Sequence, residues 1–292
     1  MRYFAYGSNL NMTALQAWCW KSGLRDAEFV IHGPAILHDH SLAFNRLSSI
    51  WGGGVLSVVP QRGAVVHGML YEVNQAGAAA LDRKEGVSVN AYARYQIHVE
   101  MQAGVFEQAI TYQASVENPA AFHPPADAYL ETVLIGLSQH NLAGMDAMVA
   151  AAQGINQPSI VNGLIVYGTL REGQQRGACL RPFTKQRMIC TLPGRLAHMG
   201  EWPAYISAAD PAQTVTAEFI EIDDIEAALA ICDRIEGYRG PAQPDNLFIR
   251  GLAQVTLDTG FMRQGWLYRM PASGSFPPFK VIPGGDWCSA SS

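Results

Sequence analysis

Short apolar runs, rich in aromatic and β-branched residues and each broken by a Gly with a hydroxyl neighbour, recur along this chain in an order that appears twice. Tyr3-Phe4-Ala5-Tyr6-Gly7-Ser8-Asn9-Leu10 returns as Ile165-Val166-Tyr167-Gly168-Thr169-Leu170-Arg171. Each run predicts a short strand, and the Gly pair predicts the turn that ends it. Further on, Gly68 to Val73 predicts a strand and Asn74 the N-cap of a helix through the Ala-rich run 76 to 81, which stops at Leu81-Asp82-Arg83-Lys84-Glu85-Gly86. The second copy reads Ala217 to Ile222 as a strand and Asp223 or Asp224 as a cap. Its helix, Ile225 to Ile231, runs into Cys232-Asp233-Arg234-Ile235-Glu236-Gly237-Tyr238. A β-rich stretch follows each, at Ala91 to Glu100 and at Leu247 to Leu257.

An element order repeated in full predicts tandem domains of one fold, at 1–152 and 161–292. The connection falls in 150–159, where a helical pattern gives way to Gly, Asn, Pro and Ser. A helix from Asp127 to Leu137 belongs to the first half alone. The second half ends in a turn-rich tail, 271–278 and Gly284-Gly285-Asp286-Trp287.

With 292 residues, 49% hydrophobic and 15% charged, the chain has apolar surface for two cores rather than the composition of a disordered segment. A formal net charge of −5 argues against a nucleic-acid partner, which calls for a basic face. The five scattered cysteines form no C-x-x-C pair, so neither a disulfide framework nor a zinc knuckle is expected. No stretch has the length of a membrane span and no leader pattern opens the chain, which gives the expectation of a cytoplasmic protein acting on a small molecule. Oligomeric state is not legible.

The candidate chemistry lies in the repeated pieces. A strand that ends in Tyr-Gly-Ser or Tyr-Gly-Thr presents main-chain N–H and C=O groups to a ligand, enough to hold a zwitterion. Glu85 and Glu236 each stand where a helix gives way to a Gly, at the same place after the same strand and helix. A carboxyl held there in a partly apolar pocket has a raised pKa and suits a group that takes a proton and then returns it.

On these residues the first half resembles the γ-glutamylcyclotransferases, through Tyr3 to Leu10, Leu81 to Val87 and Pro124-Pro125-Ala126-Asp127-Ala128-Tyr129. The second half resembles the related AIG2-like, or γ-glutamylamine cyclotransferase, branch, through Val166 to Arg171, Leu192-Pro193-Gly194-Arg195-Leu196, Asp233 to Tyr238 and Gly285-Asp286-Trp287. The resemblance implies a mixed α/β fold, each domain a small barrel-like sheet with flanking helices. It implies that Tyr3, Phe4, Ala5, Tyr6, Gly7 and Ser8, and by analogy Tyr167, Gly168, Thr169 and Leu170, bind a γ-glutamyl group largely through the main chain. Glu85 and Glu236 are then the acid-base residues, and Tyr129 helps close the first pocket. The implied reaction converts a γ-glutamyl amide to 5-oxoproline and a free amine, with neither metal nor organic cofactor. The same residues also suit a binding protein that holds a γ-glutamyl-like ligand; a Glu in both halves favours catalysis.

Two departures stand out. Tyr92 and Arg94 become Phe248 and Arg250 in the second half, and Tyr129 has no evident counterpart there. The Arg-Val-Phe-Gly-Tyr stretch of the glutathione-specific branch is missing, so glutathione is not the expected substrate. Other signals read as structural: His38-Asp39-His40 as solvated strand residues without a third metal ligand, Gly52-Gly53-Gly54 as a flexible hairpin loop, and Cys179 and Cys190 as buried hydrophobes.

Overall fold

The computed structural model describes the whole chain except residues 102–103, 156–158, 208–211, 272–278 and 291–292. Parts of the expected connection and tail therefore lie outside the described residues. The chain divides into two compact units, Met1–Ile160 and Val161–Ser292. Among the described residues no helix is long and apolar enough to cross a membrane.

The first unit runs β1 (Arg2–Ala5), α1 (Met12–Lys21), β2 (Phe29–Ser48), β3 (Gly53–Val73), α2 (Gln75–Glu85), β4 (Tyr92–Glu100), β5 (Phe106–Ala114), α3 (Asp127–Gln139) and α4 (Met145–Ala152). The second runs β6 (Gly163–Val166), β7 (Thr184–Pro193), β8 (Arg195–His198), β9 (Pro203–Ile206), β10 (Thr214–Ile222), α5 (Ile225–Ile235), β11 (Ile249–Leu257), β12 (Met262–Arg269), β13 (Lys280–Val281) and α6 (Trp287–Ala290).

Both units contain a closed five-stranded barrel, in the order β1-β3-β2-β4-β5 and, starting from its own first strand, β6-β10-β7-β11-β12. The circuits are identical. In each, the first and last strands close the barrel as a parallel pair, Tyr3 beside Ile110 and Trp266 beside Leu164, while the described neighbouring pairs are otherwise antiparallel. The fold is thus mixed α/β, with two tandem barrels and flanking helices. The second unit adds a three-stranded sheet, β13-β8-β9.

The helix that leads to each candidate glutamate begins and ends as its local sequence requires. Asn74 Oδ1 accepts from the Gly77 N–H at 2.7 Å, and Asp224 Oδ1 accepts from the Ala227 N–H at 3.0 Å. At the other end Gly86 (φ 66°) and Gly237 (φ 61°) take the left-handed conformation that stops a helix. Leu81 in α2 and Cys232 in α5, each four residues before its glutamate, are fully buried, so each helix is pinned by the residue one turn before the carboxylate. Removing the Leu81 side chain would cost on the order of 2 to 5 kcal/mol.

Two expectations about the first unit are corrected. His38 is not solvated: its side chain is 3% exposed and its Nε2 lies 2.8 Å from Glu100, itself 4% exposed. The cause is a bulge between His38 and His40, where Asp39 turns to φ 57° and accepts from the Gly63 N–H, so simple strand alternation fails. Of the glycine run, Gly52 (φ 68°) lies in the β2–β3 hairpin turn as expected, and the other two do not. Gly53 and Gly54 open β3 and sit directly against main chain of 123–126, with Gly54 N–H donating to the Pro124 carbonyl at 2.8 Å.

Candidate active sites

In the first barrel, α2 ends against the turn that follows β1. Tyr3, Tyr6, Gly7, Ser8, Asn9, Leu56, Glu85, Tyr92, Tyr112 and Tyr129 line a small cavity there, of about 30 Å³. Asn9 organises it. Its Nδ2 donates to Glu85 Oε1 and to the Tyr3 hydroxyl, both at 2.8 Å, while its Oδ1 accepts from Lys84 Nζ at 2.8 Å. The ammonium fixes the orientation of the amide, and the amide fixes the carboxylate. Asn9 is 4% exposed, so little water competes for these bonds.

The walls are phenols whose hydroxyls are tied to main chain. Tyr6 donates to the Tyr112 carbonyl at 2.6 Å, Tyr92 donates to the Leu56 carbonyl at 2.7 Å, and the Tyr129 hydroxyl accepts from the Leu56 N–H at 3.1 Å. Burial pushes the Tyr3, Tyr6, Tyr92 and Tyr129 hydroxyls above the ordinary phenol range, with the Glu85 charge adding to it. They stay protonated donors at neutral pH.

Sequence reasoning placed Phe4 and Ala5 in this site, and the structure puts both in the framework. Neither lines the cavity. Strand alternation turns Phe4 away from Tyr3 into the core, and its carbonyl accepts from Thr111 Oγ1 at 2.9 Å; Ala5 is fully buried beside Met69.

The second barrel builds a wider cavity, of about 110 Å³, at the same place. Tyr167, Gly168, Thr169, Leu170 and Glu236 line it with Arg176, Trp202, Pro203, Ile235, Leu247, Phe248 and Tyr268. Counted from the two motifs, Leu170 replaces Asn9 and Ile235 replaces Lys84. The polar clamp has become an apolar surround. Burial accordingly raises the Glu236 pKa to about 7, opposed by the charge of Arg176. Position 248 carries Phe where the first site has Tyr92, and its ring meets Trp202 edge-on at 5.5 Å, so aromatic packing fills the place of a tethered hydroxyl.

The turn glycines also differ in purpose. A Cβ on Gly7 would meet nothing nearer than the Tyr129 hydroxyl at 3.5 Å, whereas one on Gly168 would stand 2.6 Å from Pro203 Cγ. Gly7 keeps cavity space open, and Gly168 lets β9 pack on the turn.

Beneath each glutamate lies the same support, which sequence reasoning did not assign a role. Tyr112 donates to Asp82 at 2.8 Å and Arg94 grips both Asp82 oxygens at 2.7 Å; Tyr268 donates to Asp233 at 2.7 Å and Arg250 reaches both Asp233 oxygens at 3.1 and 3.0 Å. Tyr167 donates to the Tyr268 carbonyl at 2.9 Å, as Tyr6 does to Tyr112. Each Asp is three residues before its Glu and fastens the last helical turn to the closing strands. The motif Asp-x-x-Glu held that signal; Tyr112 and Tyr268 carried none.

Residues outside the two cavities settle as structure. The Cys190 thiol is buried and pushed up to about 12, which leaves it inert as a nucleophile at neutral pH. Arg171 is 5% exposed, held by Asp286 at 2.6 Å and by Glu218 at 3.4 Å, so the motif pair Arg171 and Asp286 ties the last described turn to the site loop of the same unit.

A family model described as gamma-glutamyl cyclotransferase, AIG2-like, matches residues 3–130 and 164–289. The chain belongs to this family. Both barrels are covered. Among curated relatives, a bovine (Bos taurus) gamma-glutamylcyclotransferase is 28% identical over 144 residues, 48% of this chain and 71% of its own. A Niallia circulans protein named gamma-L-glutamyl-butirosin B gamma-glutamyl cyclotransferase is 33% identical over 105 residues, 36% of this chain and 64% of its own. A solved structure named gamma-glutamyl cyclotransferase shares 23% identity across 51% of this chain and 86% of its own, with a TM-score of 0.45.

Proposed function

We propose that each domain, within 1–152 and 161–292, cyclises γ-glutamyl amides to 5-oxoproline and a free amine. The observation that carries this reading is the duplicated placement of a carboxyl, Glu85 or Glu236, in one cavity with the Tyr-Gly-Ser or Tyr-Gly-Thr turn. The family match and the names of the relatives support it.

In this reading the turn holds the γ-glutamyl group bent, so that its own α-nitrogen lies against its γ-carbonyl. An α-ammonium has no lone pair to attack with, so Glu85 first removes a proton from it. The free amine then adds to the γ-carbonyl carbon, closing a five-membered ring and placing negative charge on the carbonyl oxygen. N–H groups of Gly7 and Ser8 face that oxygen. The intermediate collapses as the carboxylic acid protonates the departing nitrogen and the C–N bond breaks, which restores the carboxylate; the ring nitrogen then passes its surplus proton to the released amine, which leaves as an ammonium ion. Holding the reacting ends together supplies much of the acceleration, since ring closure then needs no second reactant. Glu236 acts likewise in the second cavity, with Tyr167, Gly168, Thr169 and Leu170 as its turn.

Incubation with γ-glutamyl amino acids and γ-glutamyl amines tests the reading by chromatographic detection of 5-oxoproline. Glu85→Gln and Glu236→Gln together should lower turnover by ~10²-fold or more. Tight ligand binding without any 5-oxoproline would instead mark a binding protein.

A further inference from the structure

The two cavities differ in charge. Among the described residues lining the first, Glu85 is the sole Asp, Glu, Lys or Arg, and Lys84 nearby is engaged by Asn9 Oδ1 at 2.8 Å. The second cavity holds a carboxyl and a guanidinium together, Glu236 and Arg176, among mostly apolar walls such as Leu170, Trp202, Leu247 and Phe248.

Arg176 is placed there by its main chain. Its N–H donates to the Thr169 carbonyl at 2.8 Å, which pins it to the turn of the site, and its own carbonyl accepts from the Cys179 N–H at 3.2 Å. The guanidinium, by contrast, has no hydrogen-bond or ion-pair partner among the described residues, unlike Arg171 and Arg187, which both reach Glu218. Arg176 is exposed, so this uncommitted fork stands in water at the cavity mouth while its main chain is anchored. It suits a ligand group that brings two acceptor oxygens in one plane.

We propose that Arg176 receives a carboxylate of the substrate in the second site, a contact for which the described lining of the first cavity offers no cation. The inference rests on the cyclotransferase reading of Glu236. A γ-glutamyl group presents an ammonium and a carboxylate on one carbon, and a leaving amino acid presents a second carboxylate; both offer Arg176 the same chemistry.

The test uses the full chain carrying Glu85→Gln, so that only the second site turns over. Its substrates are a γ-glutamyl amino acid and a γ-glutamyl alkylamine without a carboxylate on the leaving side. Adding Arg176→Gln should raise KM about ten- to a hundred-fold, the loss of one charge-assisted pair, with a much smaller change in kcat. Arg176→Lys should recover part of the loss. A rise for both substrates assigns the glutamyl α-carboxylate; a rise for the amino-acid substrate alone assigns the leaving group. Unchanged KM for both, or a fall in kcat alone, overturns the inference and leaves the cyclotransferase reading intact. That reading fails separately if the unaltered chain forms no 5-oxoproline from either compound. Should the Glu85→Gln chain bind without turnover, calorimetric Kd values for the same two compounds decide by the same criterion, and Kd values unchanged by Arg176→Gln, or no binding, overturn it.

Discussion

Glu85 and Glu236 occupy equivalent positions and experience different surroundings. The first is held by Asn9, whose amide is oriented by Lys84; the second faces Leu170 and Ile235, and burial raises its pKa to about 7. Because the carboxylate form takes the proton in the proposed reaction, second-site activity should climb as pH rises through about 7, measured as kcat/KM in the Glu85→Gln chain. Joint Leu170→Asn and Ile235→Lys substitution should move that limb to lower pH, since new donors favour the anion. The sign for stability is the reverse of a salt-bridged carboxylate. A pKa raised from 4.5 to about 7 means that ionising Glu236 in the fold costs stability; the cost is absent below 4.5, grows between these values and is complete above them. On that basis Glu236→Gln should gain on the order of 3 kcal/mol relative to the parent between pH 4 and pH 8, in urea titrations.

At the scale of elements, the carboxylates are placed by the last turns of α2 and α5. Each is capped by an Asn or Asp, stopped by a Gly in the left-handed region and fastened by an Asp to an Arg and a Tyr on the closing strands. The two fastenings should not weigh alike. Arg250 is 1% exposed and packs between Tyr238 and Trp266, at 4.9 and 5.0 Å, whereas the Arg94 and Asp82 side chains are 40% and 33% exposed. Asp233→Asn should therefore cost several kcal/mol, about 3 to 5, by leaving a buried guanidinium without its counter-charge, and Asp82→Asn about 1 or less. Thermal unfolding followed by circular dichroism would rank them, and equal losses would contradict the argument. The caps, the helix stops and the strand before each helix were legible because each depends on residues within one turn of one another. The Asp role was half visible: its spacing from Glu is in the sequence, but its partners lie on strands far along the chain.

For the whole molecule, one chain carries two barrels of identical circuit whose cavities differ in size, polarity and charge. Glu85→Gln and Glu236→Gln should consequently remove different parts of the substrate range. A panel of γ-glutamyl compounds assayed against both single variants should give two distinct profiles that sum to the parent profile; identical profiles would mean that the two sites share one substrate range, and a parent-like profile in one variant with none in the other that a single site does the work.

The amino-acid sequence alone determined the repeat, the strand-turn pieces, the caps and glycine stops of α2 and α5 and the pair of glutamates, because strand period, caps and left-handed glycines act over a few neighbouring residues. It also misplaced what depends on facing and enclosure. Phe4 and Ala5 joined the core, and His38 was buried by a bulge that no periodicity announces. Only the packing of α3 brought Tyr129 to Leu56, 73 residues away, and only closure of the second barrel set Tyr268 under Asp233, 35 away. The same closure turned the paired exchange of Asn9 and Lys84 for Leu170 and Ile235 into two different electrostatic environments. A carboxyl's charge state is fixed by everything packed around it in space, and that packing is complete only once the first and last strands of each barrel meet.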